Sequence, residues 1–296
     1  MPELTIATFN CENLFLRFKF SPSAKPEEAV RHGFILDTQK FDTIFDEERD
    51  ITAAAILEMK PDIVALQEVE SMDALKAFNA RFLDGKYKYK ALIDGNDPRL
   101  IDVAVLSKVP FDHVQTHQFR RAGSSYIFSR DCLEVRFTVD GKPLTLFVNH
   151  FKSMLEGREE SMPRRQQQAE EVVKIIKERF GDDPSQHNWV MLGDLNDYHP
   201  STALDALIDT GWMENVVERL PEAERWTHAY RNDLRQLDYV FLSKALAQRN
   251  ASVKPVIVRK GLSGNVKGYT GPRFVGVGKE RPHASDHCPV AVKVRL

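Results

Sequence analysis

The chain has few cysteines, no excess of either charge and no long apolar run, and each shortage removes a class of protein. Its 296 residues include only Cys11, Cys132 and Cys288 as cysteines. Three widely separated thiols supply neither a disulfide framework nor the paired spacing of a zinc site. Buried small hydrophobes in a reducing compartment are the expectation for them. Lysine plus arginine (41) nearly balance aspartate plus glutamate (43), giving a formal net charge of −2 and a pI near 6.5. Adhesion to nucleic acid by bulk charge is thereby excluded, so any such contact must be local. No apolar stretch approaches the roughly 20 residues that cross a bilayer, which excludes a membrane-spanning role. The N-terminus lacks the basic and apolar regions of a secretory signal, and a cytoplasmic location is expected. No repeat or linker-like stretch divides the chain. With 42% hydrophobic residues to fill a core, one domain over 1–296, acting as a monomer, is expected.

What is present is an alternation of strand-like and helix-like segments. Leu4–Phe9 and Pro61–Leu66 read as strands around a helical stretch at Glu47–Met59. Met72–Phe82 reads as a second helix. Strands are expected at Tyr87–Ile93, Ile101–Leu106, Leu133–Val139 and Leu144–Val148, with Asp140-Gly141 as the turn of a hairpin between the last two. A helix over Ser161–Phe180 has Pro163 near its start and Gly181 just past its end. Strands at Trp189–Leu192, Leu237–Leu242, Val253–Val258 and Pro289–Val294 and a short helix at Thr202–Ile208 complete the pattern. Phe18–Lys40, with two prolines, mixed charges and no period, reads as an insertion or a mobile loop at the edge of the site. Two sets of strands with helices between them imply two packed sheets with helices outside.

Polar residues stand where several of these apolar runs end. The segments are Phe9-Asn10-Cys11-Glu12-Asn13, Leu66-Gln67-Glu68-Val69, Val148-Asn149-His150-Phe151, Gly193-Asp194-Leu195-Asn196-Asp197, Leu237-Asp238-Tyr239 and Ser285-Asp286-His287-Cys288-Pro289-Val290. Sheet strands deliver such residues to one edge. Singly, Glu68 is also read as a solvated strand end, Asn196-Asp197 as a turn and each histidine as a surface residue. Together they offer carboxylate and amide oxygens for a divalent cation, and imidazoles for proton transfer, which is what phosphodiester hydrolysis requires. Asp194 and Asn196, two apart, project to one side of an extended segment. Asp286 beside His287, and Asp238 opening another strand, are carboxylates suited to orient an imidazole. His150 and His287 are the histidines selected. His113, His117, His187 and His228 have no supporting neighbours in sequence. Arg130, Lys152, Arg164 and Arg165 are the basic residues that offer phosphate contacts, although solvated surface charge also accounts for each. The same holds for the basic, glycine-rich stretch Lys254–Arg281.

The six segments, in this order, resemble the endonuclease/exonuclease/phosphatase superfamily, which includes deoxyribonuclease I, exonuclease III, sphingomyelinases and inositol polyphosphate 5-phosphatases. The resemblance covers residues 4 to 294 and is closest to bacterial nuclease-like members. It implies an α/β four-layer α/β/β/α sandwich with two central, mostly antiparallel sheets. It also implies a Mg2+ or Mn2+ ion held chiefly by Glu68, with Asn10 and Asp286 near it. Asp194 would orient or deprotonate the attacking water, Asn196 would hold a phosphate oxygen, and His287, paired with Asp238, would contact the phosphate. His150 would stabilise the transition state or assist the leaving group. Phe128-Ser129-Arg130 resembles the stretch whose arginine contacts a phosphate in deoxyribonuclease I, and Asn149 and Lys152 flank His150 as further substrate contacts. Asn149-His150-Phe151-Lys152 replaces the tyrosine-containing loop of abasic-site endonucleases. The substrate implied is DNA or RNA, with a small phosphoester such as an inositol phosphate or phospholipid headgroup as the alternative.

Overall fold

In Trp189-Val190-Met191-Leu192 neighbouring side chains, which point to opposite faces of a strand, are all apolar. Such a strand must be covered on both sides. The same holds for Ile63-Val64-Ala65-Leu66, and the architecture follows from this demand. The computed structural model describes residues 2–15, 19–20, 41–42, 46–230 and 233–296. The insertion expected over 18–40 lies, apart from the strand Lys19–Phe20, outside the described residues.

Twelve strands build the two large sheets: β1 (Glu3–Leu14), β2 (Ile63–Val69), β3 (Tyr89–Leu92), β4 (Asp102–Ser107), β5 (His113–Gln115), β6 (Cys132–Val139), β7 (Lys142–His150), β8 (Trp189–Asp194), β9 (Met213–Asn215), β10 (Asp238–Ser243), β11 (Val256–Ile257) and β12 (Val290–Arg295). One sheet has the order β11-β12-β1-β2-β4-β3 and the other β9-β10-β8-β7-β6-β5. Each is antiparallel except for one central parallel pair, β1 with β2 and β7 with β8. Among the described residues the α-helices are α1 (Asp46–Met59), α2 (Met72–Phe82), α3 (Arg158–Phe180), α4 (Thr202–Ile208) and α5 (Lys244–Arg249).

Side-chain parity sorts the core into three layers. Ile6, Ile63, Ala65, Val148, Val190, Leu192 and Val240 meet between the sheets. Ala7, Phe9, Val64 and Leu66 face Ile51, Ile56, Leu75 and Phe78 of α1 and α2. Phe147, Trp189, Met191 and Phe241 face Val172, Ile175, Ile176, Leu204 and Leu207 of α3 and α4. The four-layer α/β/β/α arrangement is therefore as expected. All three cysteines are free and buried. Among the described residues no helix is long and apolar enough to cross a membrane.

Three differences from expectation have local causes. The edge strands β5 and β9 are three residues long, too short for an alternating pattern to mark them. Only Val256–Ile257 pairs within the stretch read as a strand at 253–258. Helix α3 starts at Arg158, so Pro163 lies inside it. The hydrogen bond that Pro163 cannot donate belongs to the carbonyl of the exposed Glu159, which water can satisfy.

Helix α3 is pinned to the turn after β8 by a buried ion pair. Arg165, fully buried, donates from Nε to Asp197 Oδ2 at 2.9 Å, from Nη1 to Ser161 Oγ at 2.6 Å and from Nη2 to the Arg158 carbonyl at 2.7 Å. Arg158 Nε donates to Asp197 Oδ1 at 2.9 Å. Burial by itself raises the Asp197 carboxyl, but the bonds from Arg165 and Arg158 outweigh it and hold the group below its ordinary range. Asp197→Ala strands the Arg165 guanidinium, and urea unfolding is expected to show a loss of about 3–5 kcal/mol. Because the folded-state carboxyl is depressed, its stabilisation is present above about pH 4 and fades as pH falls further, so the gap between wild type and Asp197→Ala should narrow in acid.

Candidate active site

The parallel pairs decide where the polar strand ends meet. Strands β1 and β2 run the same way, as do β7 and β8, so Asn10, Glu68, His150 and Asp194 lie towards their C-terminal ends. Strands β10 and β12 run antiparallel to β8 and β1, so the start of β10 at Asp238 and the turn before β12 at Asp286-His287 reach the same edge. Asp194 pairs in register with both His150 and Asp238. Asn10, His150, Asp194 and Asp238 share the parity of the residues between the sheets. They cap that apolar layer with polar groups.

Asp194 is the hub. Its Oδ2 accepts from Asn10 Nδ2 and from Asn196 Nδ2, each at 3.0 Å, and its Oδ1 accepts from the Asn196 backbone N–H at 2.8 Å. His150 Nε2 lies 3.5 Å and His287 Nε2 3.7 Å from the same Oδ2. Burial raises the Asp194 carboxyl to about 6, the charge on His287 opposing it. His287 Nδ1 is 2.9 Å from Asp238 Oδ2. Burial lowers the His287 imidazole, but Asp238 and Asp194 overcome this and hold it well above its ordinary value. His150 has no such compensation: burial, then the charges of Arg130 and His287, push it well below. The two imidazoles therefore differ, one cationic and one neutral near neutral pH.

Glu68 breaks the alternation of its strand. Parity alone sends it to the helix side with Val64 and Leu66. Instead it adopts a positive φ of 64° at a bulge where the register with β4 shifts. Bulges re-aim side chains in this way, and Glu68 lines the cavity. Its Oε2 accepts from the Asn13 backbone N–H at 3.0 Å and its Oε1 lies 3.9 Å from His150 Nε2. Burial raises the Glu68 carboxyl, and the charge on Asp286 adds to the rise.

These side chains line one cavity of about 560 Å³. Asn10, Glu68, Arg130, His150, Asp194, Asn196, Asp286 and His287 border it, and Asp238 stands behind His287. Arg130 is buried against Asp97 at 3.1 Å and donates to the Phe151 carbonyl at 3.2 Å. Asn149 is fully buried and is not part of the lining; its Nδ2 donates to the Phe147 carbonyl. Lys152 is also outside the lining, with Nζ on Glu156 at 2.7 Å. Arg165 belongs to the Asp197 clip, which corrects its reading as a phosphate contact. In the basic stretch 254–281, Arg259 and Arg273 bind backbone carbonyls and Arg281 binds Glu12 and Glu48, so these guanidiniums brace the loop.

Two cavity residues with close contacts to Asp286 stand outside the site residues selected from the sequence. His228 lies 3.4 Å from Asp286 Oδ2 and its ring centroid is 4.6 Å from that of His287. Burial raises the Asp286 carboxyl, but the pairing with His228 and the charge on His287 reverse this and hold it below its ordinary range. Glu12, within the first quoted segment, accepts from the Asp286 backbone N–H at 3.0 Å, from Arg281 at 2.6 Å and contacts His283 Nε2 at 2.7 Å. It ties the Asp286 turn to the end of β1. Tyr198, Tyr230, Arg99 and Arg235 form further parts of the lining.

The glycine of Gly193-Asp194 is required by packing. A Cβ there would sit 1.9 Å from the Asn149 carbonyl oxygen, and its φ is +136°. Gly193→Ala is expected to push β7 and β8 apart and to cost about 1–3 kcal/mol or more in chemical denaturation, with loss of the Asp194–His150 geometry.

Comparisons with known proteins agree with this arrangement. The Endonuclease/Exonuclease/phosphatase family matches residues 5–296. A comparison with curated protein sequences finds no significant match. In fold the chain is similar to truncated TDP2 of Caenorhabditis elegans, with TM-score 0.62 and 16% identity over 99% of this chain and 98% of that one. It is similar to the human Nocturnin catalytic domain, with TM-score 0.65 and 13% identity over 99% and 94%. An endonuclease/exonuclease/phosphatase family protein from Bacteroides thetaiotaomicron gives TM-score 0.63 and 16% identity over 99% and 97%. With a family match running over nearly its whole length, the chain belongs to the endonuclease/exonuclease/phosphatase family, whose enzymes are metal-dependent hydrolases of phosphoester bonds.

Proposed function

We propose that this hydrolase is a phosphodiesterase acting on DNA or RNA. The observation that carries the reading is the cavity in which Asp194, the His287–Asp238 pair, neutral His150 and the carboxylates Glu68 and Asp286 converge. Its rim supports a nucleic-acid substrate. Tyr230 is exposed at the mouth, and Tyr198 has the guanidiniums of Arg158 and Arg235 over its ring at 3.9 and 4.5 Å. Aromatic faces beside arginines suit bases and phosphates even where bulk charge is near zero.

The donor set fits Mg2+ or Mn2+. Glu68, Asp286 and Asn10 offer hard oxygen ligands, and among the described residues the ion-pair partners of the two carboxylates within 4 Å are imidazoles, His150 and His228. A dication bound by these three residues supplies charge neutralisation at the phosphate and lowers the pKa of a water. The chain's own groups do the rest. Asp194, with both oxygens engaged by Asn10 and Asn196, is fixed as the acceptor for the proton of the attacking water. In the resting arrangement Asn196 Nδ2 donates to Asp194 and to the Phe151 carbonyl, so holding a phosphate oxygen requires it to exchange one of these bonds. Cationic His287, steadied by Asp238, binds a phosphate oxygen through Nε2. His150 donates to the charge that develops in the transition state, and Arg130 offers its guanidinium from the cavity wall. Asn149 acts through its backbone, against which Gly193 packs, and Lys152 directly precedes Ser153 and Met154 of the lining.

A second reading, a small phosphoester substrate, draws on the cavity's size, which falls in the range that encloses single small molecules. Incubation with plasmid, single-stranded DNA, RNA, inositol phosphates and phospholipid vesicles, with Mg2+ or with chelator, distinguishes the two. Metal-dependent cleavage of a nucleic acid is expected; turnover of only the small phosphoesters would replace the reading. Glu68→Gln and His287→Ala are each expected to lower turnover by about 10²–10⁴-fold with an unchanged circular dichroism spectrum. Near-normal turnover of His287→Ala removes the mechanism.

A further inference from the structure

On the C-terminal side of the cavity two imidazoles and a carboxylate crowd together in a way that phosphate binding does not explain. Donor atoms of His228, Asp286 and His287 all lie within 4.8 Å of one another. His228 Nε2 and Asp286 Oδ2 are 3.4 Å apart. Two ligands of one tetrahedral ion with bonds near 2.0–2.1 Å stand about 3.3–3.4 Å apart. Bringing the other separations to that spacing takes small shifts of the side chains around Asp286, which is only partly buried.

The backbone presents these side chains together. His228 pairs with Arg235 in a short ribbon on one side and bridges to His287 on the other. The Ala229 N–H donates to the Asp286 carbonyl at 3.0 Å and the Cys288 N–H to the Thr227 carbonyl at 2.5 Å. Behind His287, Asp238 occupies Nδ1 and leaves Nε2 facing the cavity. A carboxylate on the far nitrogen is the usual outer partner of a metal-bound histidine, because it fixes the ring and raises its basicity. Asp194, Asp238 and Asp286 surround the two imidazoles with negative charge, which favours a dication there.

The donor type differs across the cavity. At Glu68 and Asn10 the ligands are oxygens, and Asp286 has two carboxylate oxygens to share between the two sets; here two of three ligands are nitrogens, which favours ions of the borderline class over Mg2+. We propose that His228, Asp286 and His287 form a second metal site, selective for a borderline dication of the Zn2+ type. Its consequence rests on the phosphodiesterase reading. An ion at this site displaces the Nε2 proton of His287 to solvent and takes up that atom, which the phosphodiesterase reading gives to the phosphate, so Zn2+ and substrate exclude each other.

The test is Zn2+ binding to the full chain in saturating Mg2+ without substrate, measured by competition with a chromophoric chelator and by X-ray absorption at the zinc edge. One site with two imidazoles at about 2.0 Å is expected. His228→Asn and His228→Phe should each weaken it by about 10–100-fold or more, and Asp238→Asn by a comparable factor through its outer bond. His113→Phe, at an exposed histidine on β5, should leave it unchanged. Equal affinity in wild type and both His228 variants, or an absorption spectrum without two imidazoles, overturns the proposal. Zn2+ binding through His228 in a chain that hydrolyses no phosphoester supports the site and removes the phosphodiesterase reading alone.

Discussion

The hydrogen bond from Asn10 to Asp194 joins residues 184 positions apart and closes the two sheets over their apolar interior. It sits where the inter-sheet layer of valine, leucine and isoleucine meets the cavity. A carboxylate in that position is costly to bury unless its oxygens are occupied, and Asn10 and Asn196 occupy them. Once Asp194 is fixed, the neighbours set by strand register fall around it. His150 arrives from β7, Asp238 from β10, and His287 arrives through Asp238.

The site balances its charges by asymmetry. Of two buried imidazoles a few ångströms from one carboxylate, His287 is backed by Asp238 and His150 is not. Burial and neighbouring cations therefore drive them to opposite protonation states. The carboxylates divide in a similar way. Asp197, close to Asp194 in sequence, is spent on Arg165 and Arg158 as a structural clip, while Glu68 and Asp286 have, among the described residues, imidazoles as ion partners and remain available to a cation. Adjacent acidic residues of one motif thus serve the fold and the chemistry separately.

Much of this was legible in the residues themselves. Strands buried on both faces announce themselves as unbroken apolar runs, and the polar residue that ends each run marks the edge where the site lies. That logic locates Asn10, His150, Asp194, Asp238 and His287 without reference to contacts. It fails for His228, because the local sequence around Thr227-His228 has no apolar run to end. It fails for Arg165 too, since an arginine amid polar helical residues gives no sign that it is wholly buried. The short edge strands escaped for a related reason: three residues do not establish a period.

The order and chemistry of the strand ends were determined by the sequence alone, because alternation, turn residues and apolar runs are local properties. Family membership follows from them as well. Only the tertiary structure decided which side chains face one another. The bulge at Glu68 turns a residue of the wrong parity into the cavity, and the ribbon at 228–235 brings His228 against Asp286. Both depend on register between segments distant in sequence, and register is set by the packing of whole sheets, which no local pattern encodes.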